Sequence, residues 1–154
     1  MKLAYTLGTS TRSPGEFLKL LKTHRVEVVV DVRRFPTSRL EHFRQEKLVR
    51  LLGEADIDYI YLGEELGGYR RQGYTDFTIT TQFQVGLKKL AEIARKKKTA
   101  FICAERFPWR CHRRFIAREL EKRSWHVVHI IDPGRDWIPR TPARPEVISS
   151  SGQQ

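Results

Sequence analysis

Apolar residues in this chain fall into short runs separated by amphipathic stretches, and that alternation sets the expected architecture. Leu3 to Leu7 reads as a first strand, and Val26 to Val30 is the unalternated, β-branched run that a strand covered on both faces requires. Tyr59 to Leu62, Thr99 to Cys103 and Val127 to Ile131 supply three further strands. Helical periods lie between them. Ser13, Pro14 and Glu16 make an N-cap, a proline at the first helical position and a capping-box glutamate, so a helix begins at Pro14, buries Phe17, Leu18, Leu20 and Leu21, and ends near His24. Leu48, Val49, Leu51 and Leu52 mark a short helix that stops near Gly53. Phe83, Leu87, Leu90, Ile93 and Ala94 mark a longer one, closed by the basic run Arg95 to Lys98 at its negative end. Phe115, Ile116 and Leu120 give the inner face of a last helix, with Pro108 just before or inside its first turn.

Strands separated by helices imply crossover connections. The expectation is a single three-layer α/β domain over residues 1–132, with a mostly parallel central sheet of about five strands. Residues 133–154, rich in Pro, Gly and Ser, read as a loosely held C-terminal tail. The first turn, GTSTRS, is not a GxGxxG fingerprint, and no GxxxxGK[ST] occurs, so the fold is Rossmann-like without a dinucleotide signature and no cofactor is expected. One irregular stretch stands out, GEELGGYRRQGYTDF from Gly63 to Phe77, long enough to be a functional loop or a small ordered excursion.

Charge changes the picture more than composition does. Twenty-nine Lys and Arg against eighteen Asp and Glu give a formal net charge of +11 over 154 residues. That excess favours a polyanionic partner, nucleic acid before an anionic membrane surface, although a basic surface tuned for solubility is the plain alternative. No apolar run reaches membrane-spanning length, and MKLAYTLG is too short and soon too polar for a signal peptide. A cytoplasmic location without a membrane partner is the expectation.

Ligands of parallel α/β sheets gather beyond the carboxyl ends of the strands, which here are Gly8 to Arg12, Asp31 to Arg34, Gly63 to Tyr74, Ala104 to His112, and Asp132. Asp31 directly follows an apolar strand, where a carboxylate can serve as acid, base, metal ligand or arginine orienter; a cap or a salt bridge to Arg33 or Arg34 is the structural alternative. Glu105 holds the corresponding place after the fourth strand, and two such carboxylates can divide acid and base roles. If the last helix starts near Trp109, its free N–H groups with Arg110 and Arg113 form an anion site, and Cys111 in its first turn becomes a candidate reactive thiol. Cys103 is the second thiol, and seven residues separate the two, which excludes a CxxC site. His112 is a candidate proton relay or phosphate ligand, or else a simple cap. Tyr69, Tyr74 and Trp109, interleaved with Arg70, Arg71, Arg106 and Arg110, suit a splayed or flipped nucleotide, or alternatively form lids on the sheet. Arg12, Arg33, Arg34, Arg39 and Arg44 extend the basic footprint. Mg2+ enters only through a site built from Asp31, Glu105 and Asp132.

TLGTSTRSPGEFLKLL, VVVDVRRFPTSRLEHF, IDYIYLGEELGG and CAERFPWRCHRRFIA together cover most of residues 3–131. In these pieces the chain resembles the family catalogued as domain of unknown function 488. The last piece is the most specific, because Cys103, Ala104, Glu105, Cys111, His112, Arg113 and Arg114 fall where the family pattern puts them. The resemblance implies a compact parallel α/β domain and carries almost no mechanism. GTSTRS departs from the many relatives that have histidine and asparagine after the glycine.

The residues point to a nucleic-acid-binding enzyme, with DNA ahead of RNA. Its most concrete form is hydrolysis of the N-glycosidic bond of a damaged or mismatched base, with Asp31 or Glu105 activating water or stabilising charge on the sugar. A metal-dependent nuclease, a cysteine-dependent phosphoryl or sulfur-transfer enzyme, and a non-catalytic nucleic-acid-binding module are the alternatives.

Overall fold

A computed structural model describes residues 2–139 of the chain. The elements alternate as expected: β1 (Leu3–Gly8), α1 (Pro14–Thr23), β2 (Val28–Asp31), α2 (Gln45–Glu54), β3 (Asp58–Tyr61), two single-turn helices α3 (Gly63–Leu66) and α4 (Tyr74–Phe77), α5 (Thr81–Lys96), β4 (Thr99–Cys103), α6 (Arg113–Glu121), β5 (His126–Asp132) and β6 (Arg135–Trp137). The sheet runs β3-β2-β4-β1-β5-β6. Its first five members are parallel, and β6 pairs antiparallel with β5. The expected tail therefore begins differently, since residues 135–137 form an edge strand. Residues 140–154 of that tail lie outside the described residues.

Local chemistry accounts for the element boundaries. Ser13 Oγ accepts the Glu16 N–H at 3.1 Å with Pro14 at the first helical position, which starts α1 where the sequence places it. Thr80 caps α5 in the same way through the Phe83 N–H. β2 starts at Val28, two residues later than the apolar run, because the Val26 N–H is still committed to Leu21 O at the end of α1. α6 starts at Arg113; Pro108–Arg110 form a separate 3-10 turn, because the chain re-extends at Cys111.

Two apolar layers cover the sheet. On one face Leu7, Val29, Ala100, Ile102 and Ile130 pack against Phe17, Leu20 and Leu21 of α1 and Leu48 and Leu52 of α2. On the other, Val28, Val30, Phe101, Cys103 and Val127 pack against Phe83, Leu87 and Leu90 of α5 and Ile116 and Leu120 of α6. The alternation of inward side chains along β2 and β4 decides which face each polar residue at the strand ends reaches.

Candidate functional site

Beyond the carboxyl ends of β2 and β4 lies a cleft of about 650 Å³. The post-β2 loop contributes Arg33, Arg34, Phe35 and Thr37; the glycine-rich segment after β3 contributes Gly68, Tyr69, Arg70 and Tyr74; and the stretch after β4 contributes Cys103 to Glu105 and Arg110 to His112. A second cavity of about 580 Å³ adjoins it, lined by Arg34, Tyr69, Arg70, Arg71, Gln72, Phe77 and Gln82. Arg34, Tyr69 and Arg70 belong to both. Tyr69 is 86% exposed and holds a left-handed backbone at φ 60°, a costly conformation for a tyrosine, and the Arg34 guanidinium donates to its carbonyl at 2.7 Å. Phe35, 58% exposed, lies with its ring 6.2 Å from that of Tyr69. Arg70 is partly spent on its own loop, donating to Gly67 O at 2.8 Å and Glu64 O at 2.5 Å with its guanidinium over Phe77. Arg71 and Arg110 have no side-chain partner among the described residues.

Asp31 does not reach this cleft as a free carboxylate. Alternation along β2 turns it to the α1/α2 face, fully buried, where the Arg33 guanidinium grips both oxygens at 2.8 Å, the Arg33 N–H donates at 3.1 Å and the Tyr59 hydroxyl at 2.7 Å. Arg33 Nη1 donates to Phe43 O at 2.7 Å, which ties down the post-β2 loop. Of the readings weighed for Asp31, the geometry matches the structural alternative, a salt bridge to Arg33. Burial and the neighbouring Asp31 charge push the Tyr59 phenol far above its ordinary range. Glu105, by contrast, is exposed and borders the cleft. Asp31 ends β2, and Glu105 lies in the loop two residues past the end of the neighbouring β4.

The α5/α6 side of the cleft floor is built around Arg113. Its side chain is fully buried, so it does not join Arg110 in an anion site as an earlier helix start would have allowed. Nε donates to Thr6 Oγ1 at 3.1 Å, Nη2 to Arg106 O at 2.9 Å, and Nη1 to Glu105 O, with Cys103 Sγ 2.8 Å from the same nitrogen. None of these acceptors is a carboxylate, and desolvation pushes the guanidinium down to about 9. Thr6 accepts from Arg113 and so donates its hydroxyl proton to His129 Nδ1 at 2.6 Å; burial and the Arg113 charge lower His129 to about 3 and keep it neutral.

The sulfurs of Cys103 and Cys111 are joined as a disulfide, with Cα atoms 7.5 Å apart. The Arg113 N–H approaches Cys111 Sγ at 3.4 Å, and His112 Nδ1 lies 3.6 Å from the same sulfur. His112 Nε2–H donates to Val32 O at 3.1 Å, which leaves Nδ1 as an acceptor turned to the sulfur, and burial pushes the ring down to about 4. Gly68 lies close beside it, and a Cβ there would stand 3.1 Å from His112 Nδ1, a tight contact that the ring would have to yield to.

Other residues named from the sequence are placed elsewhere. Arg12 is buried between Gly8 O, Ile131 O and Glu16, while Arg106 pairs with Asp132, so both guanidinium groups are held at the carboxyl ends of β1 and β5. Trp109 stacks on Phe107 and meets Trp137 of β6 edge-on. Arg39 and Arg44 are exposed and do not line the cleft. Tyr74 forms a wall: its hydroxyl is bound to Leu66 O, and its ring packs on Phe77, Phe83 and His112. Asp31 and Asp132 cannot share an ion, because β4 and β1 lie between their strands, a separation of about 14 Å at the usual strand spacing. Among the described residues no three His, Cys, Asp or Glu side chains are grouped to hold a metal. The sequence reading missed Phe35 and the Thr6–His129 pair; the phenylalanine in RRFP, unpaired with any apolar period, was the available signal for the first.

No helix among the described residues is long and apolar enough to cross a membrane. No curated protein and no solved structure matches the chain. A family model, domain of unknown function DUF488, matches residues 13–73 and 69–120, a span that takes in α1, the post-β2 loop, the glycine-rich segment and the cysteine-bearing stretch. The chain belongs to the DUF488 family.

Proposed function

We propose that this protein binds nucleic acid, DNA ahead of RNA, and draws an unstacked nucleotide into the cleft beyond β2 and β4. The observation that carries this reading is the joining of two basic cavities at Tyr69, with exposed aromatic faces beside guanidinium groups that have donors to spare. Phosphates suit Arg34, Arg71 and Arg110, and a base suits Phe35 and Tyr69, since stacking accepts any base and basic side chains track the backbone. In its enzymatic form the proposal is hydrolysis of the N-glycosidic bond of a damaged or mismatched base. Glu105 is then the carboxylate that activates water or stabilises charge on the sugar, because Asp31 is committed to Arg33.

The test is a panel of end-labelled duplexes and single strands, in DNA and RNA, carrying uracil, oxidised, mismatched or unmodified sites, assayed with EDTA or with magnesium and with or without alkali. Alkali-revealed, EDTA-resistant cleavage of one modified DNA that is lost in Glu105→Gln supports the enzyme. Salt-sensitive retention without cleavage supports binding alone. Absence of retention across the panel at low salt overturns the reading altogether.

A further inference from the structure

A buried guanidinium that ends among neutral acceptors is an unusual expense, and Arg113 places it against a sulfur. Its hydrogen-bond partners are a hydroxyl, two backbone carbonyls and Cys103 Sγ. A charged group in that position gains most when the sulfur carries a negative charge. The pair with Cys111 is also not a remote staple: both sulfurs border the cleft, Cys111 being 8% exposed and Cys103 2%.

We infer that Cys103 and Cys111 form a reversible thiol–disulfide exchange site on the cleft floor, reacting with a low-molecular-weight thiol and its disulfide. In reduction, the donor thiolate forms a bond to Cys111 Sγ, the more open sulfur. The Cys103–Cys111 bond breaks, and its electron pair leaves on Cys103 as a thiolate held by Arg113. A second donor thiolate then attacks the donor's sulfur in the mixed disulfide, and Cys111 leaves and takes up a proton, with His112 Nδ1 placed to accept its S–H bond. Two donor thiols are thereby oxidised to one disulfide while the protein gains two electrons and one proton, Cys103 staying a thiolate and the donors' second proton going to solvent. Oxidation is the reverse, with Cys103 resolving the mixed disulfide at Cys111. This site does not depend on the nucleic-acid reading, but its state sets the tether on the loop that carries Glu105 and Arg110.

The experiment uses the full chain, folded, in glutathione buffers of graded ratio, followed by acid quench, alkylation and intact-mass measurement. The expected result is that both thiols appear and disappear together without unfolding. Glutathione is retained as a stable adduct on Cys111 in Cys103→Ser and is absent from Cys111→Ser. In Arg113→Lys, which keeps the charge but loses the fork, the wild-type adduct resolves roughly tenfold more slowly. A pair that exchanges only after denaturation is a structural staple and overturns the inference. Two thiols that alkylate independently and never close overturn it equally, and an adduct confined to Cys103 overturns the assigned roles. Circular dichroism of each variant separates these results from misfolding.

Discussion

Arg33 and Arg113 are both buried guanidinium groups at the carboxyl end of the same sheet, on opposite faces, and they differ in what answers their charge. Arg33 is clasped by Asp31, with Tyr59 and a backbone N–H completing the carboxylate's hydrogen bonds. Arg113 ends on a hydroxyl, two carbonyls and a cysteine sulfur. The first arrangement is electrically closed. The second keeps a charge to which no carboxylate is hydrogen-bonded beside a chemically convertible atom. Burial and residue type alone therefore do not distinguish scaffold from site; the identity of the counter-group does.

The comparison breaks most sharply at Asp31. Asp31→Asn leaves the Arg33 guanidinium buried without its carboxylate, and removing one partner of a buried pair costs about 3–5 kcal/mol. Urea unfolding should show that loss. A variant with native stability and no activity would instead make Asp31 a catalytic group, against its place on the α1/α2 face. Arg113→Gln is expected to cost less, about 1–2 kcal/mol in the oxidised protein, because the hydrogen bonds lost are offset by removing a charge that had no carboxylate. The cost should rise once the cysteines are reduced. Equal losses for Asp31→Asn and Arg113→Gln under oxidising conditions would erase the distinction between the two faces.

The elements themselves were legible because their signals are local. Ser13, Pro14 and Glu16 state the start of α1 in adjacent positions, and the β-branched runs state the strands. The site was not, because it depends on strand order. β4 enters between β2 and β1, so the neighbours that bring Arg34 to Glu105 are far apart in sequence. Asp31 and Cys103 also lie at equivalent strand ends, and only register and pleat send one to each face. α6 misled for a simpler reason: Pro108 has the look of a first helical residue, while His112, which precedes Arg113, supplies no side-chain cap. β6 was hidden in a segment whose composition says tail.

A pH series sharpens the Arg113 side further. His112 and His129 are neutral when folded and titrate near 4 and 3, against 6.5 when unfolded. Below about 6.5 the unfolded chain thus binds protons that the folded one refuses, so these groups remove stability progressively as pH falls from about 6.5 toward 4, and for His129 toward 3. His112→Asn keeps a donor for Val32 O and removes one titration. Its urea midpoint should fall less steeply than wild type across that window, and parallel curves would mean that His112 is solvated.

The smallest expected effect concerns a third condition of arginine, exposed and without a partner. Arg110 borders the cleft in that state, whereas Arg39 is equally exposed but lies outside it. Each guanidinium that meets a phosphate releases about one counterion, so Arg110→Ala should lower affinity for the bound strand and reduce the slope of log affinity against log salt by about one. Arg39→Ala should leave the slope unchanged if the strand keeps to the cleft. The structural consequences of both substitutions are slight, because neither side chain is held by a hydrogen bond among the described residues, so a change in slope reports contact and not folding. Equal flattening in the two variants would extend the strand's path over the post-β2 loop, and no flattening in either would remove the cleft as the phosphate track while leaving the buried Arg33 and Arg113 networks untouched.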